Sequence, residues 1–319
     1  MKLITVNENE AGQRLDKLLS KYLNLAPKSF IYKMLRKKNI TLNGKKAEGT
    51  EHLLVNDEIK LFLADETIDK FSQVQVTKVE TDLDIVYEDA NILLINKPAG
   101  LLSQKAQKDD ISLVEHLTSY LLDTNQLTEE DLKSFRPGIC NRLDRNTSGL
   151  IIAGKSLIGL QTMGELIKNR NLDKYYRCIV KGCITEKQKI EGYLYKNQSH
   201  NKVIVTKEPV EGSDFIKTEY EPLSCNGEYT LLRVKLITGR SHQIRAHLQS
   251  IGHPIIGDGK YGDVLANKYF KKNYKLKHQL LHAMELHFHP ISGELEAISG
   301  KVFTAPLPGY FEEIIHGIF

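Results

Sequence analysis

One short run does most to constrain this 319-residue chain: Asn141–Leu150, NRLDRNTSGL, where a single carboxylate, Asp144, stands between Arg142 and Arg145. Asn146, Thr147, Ser148 and Gly149 suit a tight turn, and the apolar Leu150, Ile151 and Ile152 that follow read as a buried strand. The run therefore fixes an anion on a loop at a strand entrance. Opposite charge close by favours the ionised form of a carboxylate. For a lone aspartate between arginines a structural ion pair is the commoner outcome, so the run constrains the backbone before it says anything about chemistry.

Strand patterns frame this loop. Ile85–Tyr87 and Ile92–Ile95 form a hairpin pattern around 88–91, and Tyr175–Val180, Val203–Val205, Lys217–Tyr220 and Tyr229–Ile237 read as further strands. Alternation puts Tyr176, Cys178 and Val180 on one strand face and Tyr175, Arg177 and Ile179 on the other. Helical spacing is confined to Leu113–Leu122, Leu157–Ile167 and the stripe Ile244, Leu248, Ile251, which Gly252 ends. Many strands with few helices predict, for residues 82–319, an α+β fold on an antiparallel or mixed sheet with flanking helices.

Residues 1–65 predict a separate small α/β unit. Leu15, Leu18, Leu19, Tyr22 and Leu23 share one helix face, and Phe30, Ile31, Met34 and Leu35 share another after Pro27, with Ser29 near its cap. Ile40–Leu42 and Glu58–Leu63 read as short strands around the turn Asn43–Gly44. Residues 66–81 lack sustained periodicity and read as a linker with a short strand at Val74–Val76.

The net charge of +4 is modest but uneven: from Arg14 to Lys46 there are ten basic residues against the single acid Asp16. A solvated helix face is the bland explanation; clustering beside two short helices favours a phosphate-binding surface, with Arg14, Lys28, Ser29, Arg36 and Lys37 as candidate contacts. No apolar stretch approaches the ~18 residues of a membrane span, and no leader pattern stands at the N-terminus, so a cytoplasmic, membrane-free monomer is expected. Cys140, Cys178, Cys183 and Cys225 show no CxxC pairing, which predicts reduced, mostly buried thiols. His242, His247, His253, His282, His287 and His289 include no HExxH, which weighs against a metal-dependent hydrolase.

The Asp144 run resembles the signature of the RluA family of pseudouridine synthases, HRLD followed by two variable residues and TSGL. Asn96–Gly100 resembles the family's KPxG element, KYYRCIVKG at 174–182 its KxY strand, and GRSHQIRAH at 239–247 its GRTHQIRVH element. GHPIIGDGKYG at 252–262, Leu281–Ala283 and Ala305–Pro308 follow in the family's order. The first 65 residues resemble the small RNA-binding domain first described in small-subunit ribosomal protein S-four, and PKSFIYKMLRKKNITLNGKK is most similar to the RluC branch.

The resemblance implies an enzyme that isomerises uridine to pseudouridine in structured RNA, with large-subunit ribosomal RNA the expected substrate and no cofactor or metal. It makes Asp144 the catalytic aspartate, acting as a nucleophile on ribose or base or as the base that promotes glycal formation. Tyr176 becomes the residue that contacts the target base and helps remove the C5 proton, and Arg245 the partner of Asp144. Arg142, Arg145, Lys97, Arg240 and Lys260 are candidate phosphate or loop anchors. Two positions depart from the pattern: Asn141 replaces the opening histidine, which leaves a hydrogen-bonding or RNA-contact role, and Ser241 replaces threonine but keeps a hydroxyl. The alternatives are a synthase acting on tRNA and a non-catalytic RNA-binding or ribosome-assembly protein; retention of Asp144, Tyr176 and Arg245 together argues against the latter.

Overall fold

The structure is a computed structural model that describes residues 1–74, 76–197 and 202–319. Its N-terminal part runs β1 (Lys2–Thr5), α1 (Leu15–Tyr22), α2 (Lys28–Arg36), β2 (Ile40–Leu42), β3 (Lys45–Lys46), β4 (Glu58–Leu61) and α3 (Asp65–Phe71). The strands form a four-stranded sheet in the order β1-β4-β2-β3. Leu15, Leu18 and Leu19 of α1 and Ile31 and Leu35 of α2 bury against Ile40, Ile59 and Leu61 of the sheet. Pro27, whose ring fixes φ at −64°, is the N-cap residue just before α2; Ser29 lies inside the helix and makes no cap hydrogen bond. Asn43 and Gly44 adopt φ of 49° and 73°, as the two-residue hairpin between β2 and β3 requires.

Where a linker was expected, α3 forms: Asp65 and Glu66 occupy its first turn, where acids suit the helix dipole. Only Ile68 of its seven residues is buried, too little to make a visible period. Ile68 and Phe71 join the N-terminal cluster. The short strand expected at Val74–Val76 includes residue 75, which lies outside the described residues; Val74 and Val76 pack against the larger core.

That core belongs to an eleven-stranded sheet. Its elements in order are β5 (Ile85–Glu88), β6 (Ile92–Lys97), α4 (Leu113–Asp123), β7 (Gly138–Ile139), β8 (Ser148–Gly154), α5 (Leu157–Lys168), β9 (Leu172–Lys181), β10 (Gln188–Asn197), β11 (Lys202–Thr206), β12 (Asp214–Cys225), β13 (Tyr229–Leu236), α6 (Gln243–Ser250), α7 (Val264–Tyr274), β14 (Leu281–Phe288), β15 (Val302–Thr304) and α8 (Gly309–Ile318). The main path is β11-β10-β12-β13-β9-β14-β8-β6-β5, with β15 on β14 and β7 on β8. Pairing is antiparallel except between β14 and β8, so the architecture is the expected α+β with a mixed sheet. The sequence pattern does not announce β1, β10, β14, α7 or α8.

β8 is buried along its whole length, which its uninterrupted apolar run demands. Ile151 and Ala153 enter the core that also holds Tyr176, Cys178 and Val180. Leu150 and Ile152 enter a second cluster with Met163 and Leu166 of α5. Gly149 adopts φ 108°, and a Cβ there would stand 2.3 Å from the Ala283 carbonyl oxygen; only glycine lets β8 lie this close to β14.

The expectation of reduced thiols fails at one pair. Cys183, just beyond β9, and Cys225, at the end of β12, form a disulfide with Cα atoms 6.0 Å apart. Both strands flank β13, so the sheet joins residues that no spacing in the sequence relates. Cys140 and Cys178 are free thiols.

His282 of β14 ties the site loop to the sheet. Its Nδ1 lies 2.8 Å from Ser148 Oγ and its Nε2 3.3 Å from the Ala305 carbonyl. Burial pushes its pKa from 6.5 down to about 4. The folded state thus binds fewer protons than the unfolded one, and stability is lost as pH falls from 6.5 through 4. His282 accounts for up to about 3 kcal/mol of that loss; His247, also lowered to about 4 by burial, adds a loss of the same sign. Urea titrations from pH 7 to pH 4 should show a flatter decline for His282→Gln than for the wild type, and parallel curves would refute this account.

Candidate active site

The Asp144 loop connects β7 to β8 and is tied down on three sides. The Thr147 N–H donates to the Asp144 carbonyl at 3.0 Å, closing the turn. Ser103 Oγ donates to the Leu143 carbonyl at 2.7 Å and accepts the Leu143 N–H at 3.1 Å. Lys97, at the end of β6, is fully buried. Its Nζ donates to the carbonyls of Pro98 and Leu101 at 2.8 Å and of Arg145 at 3.2 Å. Burial pushes its pKa down to about 7, against the pull of the Asp144 charge. Lys97 is therefore a loop anchor, and its expected use as a substrate contact is corrected: its ammonium is enclosed by carbonyls. Arg145 Nε donates to the Gly100 carbonyl at 3.0 Å, so this arginine also braces the loop. Asn141 accepts the Ile152 N–H at 2.7 Å, which is the hydrogen-bonding role left open for it.

α6 presents Arg245 to this loop. Arg245 Nη1 donates to Asp144 Oδ2 at 2.7 Å, while its Nε and Nη2 grip Asp258 at 2.7 and 2.9 Å. Asp258 Oδ1 also accepts the backbone N–H groups of Lys260 and Tyr261, at 2.8 and 3.0 Å. Burial alone would raise the Asp258 pKa; the hydrogen bonds and charge of Arg245, with the two N–H groups, reverse that and hold it below the ordinary value. For Arg245 burial works against the charge, and the two carboxylates more than restore it, raising its pKa. The Tyr261 ring lies 5.1 Å from the guanidinium carbon, a cation–π contact.

A cleft of about 840 Å³ opens on these groups. Tyr176 and Lys174 of β9 line it beside Asp144, Arg245 and His242. Burial, then the neighbouring Asp144 charge, raise the Tyr176 pKa, so its hydroxyl keeps its proton. Arg142, Arg145 and Arg240 also line the cleft, and Arg240 pairs with Asp214 at 2.9 Å near its exposed edge. Lys260 is close enough for Arg245 and Asp144 to act on its charge; burial is the larger cause of its lowered pKa.

The N-terminal candidates stand elsewhere. Lys28, Ser29, Arg36 and Lys37 are exposed on and just after α2, Arg14 is paired with Asp16 at 3.0 Å, and none of the five lines the cleft. Asp258, Tyr261 and Lys174 are site residues the sequence reading did not single out, and His242 was weighed there only as a metal ligand. All four lie inside quoted motifs. Nothing in the spacing couples Asp258 to an arginine thirteen residues earlier, because that pairing exists only once α6 and the 252–262 loop are packed.

A family model described as RNA pseudouridylate synthase matches residues 91–250. The chain is 32% identical to an uncharacterized RNA pseudouridine synthase of Mycoplasma genitalium, over 98% of each chain. It is 30% identical to the ribosomal large subunit pseudouridine synthase C of Escherichia coli, over 95% of this chain and 93% of that one. In three dimensions it matches the human RNA pseudouridylate synthase domain containing 4, with a TM-score of 0.58 at 22% identity, covering 73% of this chain and 92% of that chain; this last likeness speaks for the fold alone.

Asp258→Ala should cost about 3–5 kcal/mol, because it leaves the buried Arg245 guanidinium without its bidentate partner. Chemical denaturation checks the value, and a loss below about 1 kcal/mol, the scale of an exposed pair, would show that Asp258 does not hold the arginine.

Proposed function

Because the chain belongs to the RNA pseudouridylate synthase family, we propose that it modifies structured large-subunit ribosomal RNA, with Asp144, Arg245 and Tyr176 as its reaction centre and residues 1–65 as an RNA anchor. The family's reaction breaks the bond from uracil N1 to the ribose, turns the base, and joins C5 to the same carbon with loss of the C5 proton. The protein isomerises uridine in RNA; the substrate and the roles of its residues are the proposal.

The observation that carries it is the unequal treatment of the two oxygens of Asp144. Oδ2 receives Arg245 at 2.7 Å, while Oδ1 accepts no hydrogen bond among the described residues and has His242 Nε2 at 3.9 Å. Oδ1 is the oxygen open to substrate, whether it attacks carbon or takes a sugar proton. Arg245 fixes the carboxylate's orientation, so no reorganisation is needed when the nucleotide arrives. Tyr176 offers a ring to the detached base. Its raised pKa favours packing and hydrogen bonding by the neutral phenol over removal of the C5 proton by a tyrosinate.

A uridine within folded RNA reaches Oδ1 only after it leaves its stack, a step that costs a few kcal/mol where the base is paired. Contacts outside the cleft offset such a cost. Arg142 and Arg240 stand at the cleft, and the exposed Lys28, Arg36 and Lys37 suit backbone phosphates farther away. The ribosomal substrate is supported by the similarity to the Escherichia coli large-subunit enzyme over 93% of its length.

Pseudouridine mapping of RNA from cells lacking the gene should show sites lost from large-subunit ribosomal RNA, restored by the wild type and not by Asp144→Asn. Losses confined to tRNA would move the substrate, and restoration by Asp144→Asn would remove Asp144 from the chemistry. Replacing Lys28, Arg36 and Lys37 together by alanine should weaken RNA binding and lower the slope of log affinity against log salt by about 2 to 3. An unchanged slope in filter-binding titrations would exclude α2 from the RNA contact.

A further inference from the structure

His242 shares the cleft with Asp144 and stands outside the Asp144–Arg245–Asp258 bonding. It immediately precedes α6 with φ 57° and ψ 15°, the left-handed region that side chains other than glycine rarely adopt. That backbone turns its ring toward Tyr261, whose hydroxyl lies 2.9 Å from His242 Nδ1. The same hydroxyl accepts the Val203 N–H at 3.0 Å, and among the described residues it has no acceptor other than His242 for its single proton. Nδ1 is therefore the acceptor, and the ring hydrogen of the neutral imidazole sits on Nε2.

Nε2 points at the open oxygen of Asp144. At 3.9 Å from Oδ1 it is beyond direct hydrogen-bonding reach, and both residues line the cleft. The N–H thus stands beside the reacting oxygen and, among the described residues, is unspent. The charged groups acting on His242 are Asp144, which favours its protonation, Arg245 and Lys260, which oppose it, and Asp258, which favours it. Burial is the largest influence, and the net effect is a lowered pKa. A neutral ring leaves Arg245 as the cation that holds Asp144.

We propose that His242, held in its Nε2–H form by Tyr261, donates a hydrogen bond to a carbonyl oxygen of the target uracil while the glycosidic bond breaks. This rests on the synthase reading of the cleft and adds a catalytic group to it. The electron pair of the broken C1′–N1 bond leaves with the uracil and is shared between N1 and its adjacent carbonyl oxygen, so negative charge develops on an oxygen able to accept the N–H. The hydrogen stays on the imidazole throughout; the bond stabilises the departing base and keeps it from diffusing away. Tyr261 is a positioning residue: its hydroxyl, the group that Tyr261→Phe removes, acts through His242.

The test compares full-length His242→Asn, His242→Gln and Tyr261→Phe in single-turnover assays on a large-subunit ribosomal RNA transcript. Asparagine tolerates the left-handed backbone, but its amide reaches only the Nδ1 position; the glutamine amide reaches the Nε2 position. At saturating RNA, His242→Asn should be about 100-fold slower, the scale seen when one preorganised donor to a developing anion is removed. RNA affinity should not change, and His242→Gln should recover much of the loss. Tyr261→Phe should slow the reaction as well, and the double variant with His242→Asn should be no slower than His242→Asn alone. An active wild type with an equally fast His242→Asn, or additive losses in the double variant, would overturn the inference alone. A wild type inactive on every RNA would overturn the synthase reading beneath it.

Discussion

Everything at the site depends on one guanidinium shared by two carboxylates. Arg245 is 7% exposed, and a cation so enclosed persists only when its donors are filled. Asp258 fills two of them side by side, and Asp144 takes a third end-on. The division is unequal in a useful way. Bidentate geometry is the stronger form of this contact, so the buried Asp258 satisfies most of what Arg245 requires. Asp144 receives one bond at Oδ2, and its Oδ1 accepts none among the described residues. An arginine paired to Asp144 alone would lie over both oxygens and leave none open.

The same economy explains why the loop carrying Asp144 is so heavily tied. A carboxylate held at one oxygen pivots unless its backbone is fixed. Lys97 fixes it from one side, with three carbonyls converging on its ammonium, and Gly149 fixes it from the other by bringing β8 against the backbone of Ala283. His282 adds a third tether at Ser148. The family motifs therefore divide into those whose side chains line the cleft and those that hold the loop. KPxG belongs to the second kind: of the two roles open to its lysine, phosphate contact or loop anchor, burial favours the second by supplying three carbonyl partners within the protein.

How much was legible follows from the range of the interactions involved. Local periodicity found α1, α2, α4, α5 and α6 and the core strands, because one buried face recurring at 3.6 or 2 residues is a local signal. It missed α3, whose seven residues bury only Ile68, and it missed β14, whose parallel pairing with β8 is set by the sheet. The Cys183–Cys225 bond and the Arg245–Asp258 pair are also products of packing. At the site, Asp144, Tyr176 and Arg245 were legible through ordered motifs, whereas Asp258, His242 and Tyr261 lay inside the same motifs without a partner to mark them. A motif tells which residues recur together and not which atoms meet.

The N-terminal part follows a different logic. Its core is complete without the large sheet: Leu15, Ile31, Ile40 and Ile59 belong to one closed cluster, and its basic side chains project from α2 without entering the cleft. The described hydrogen bonds that cross to the rest of the chain include Tyr22 to Glu130 at 3.0 Å and the Leu157 N–H to Asn9 at 3.2 Å, both polar. Under the proposed function, a unit with its own core and polar seams is suited to supply affinity as a separate term, by releasing counterions from RNA, which leaves selectivity to the geometry around Asp144. The chain thus keeps the exposed charge of α2 and the Asp144 cleft on different cores, and at the cleft one guanidinium is bonded to two carboxylates.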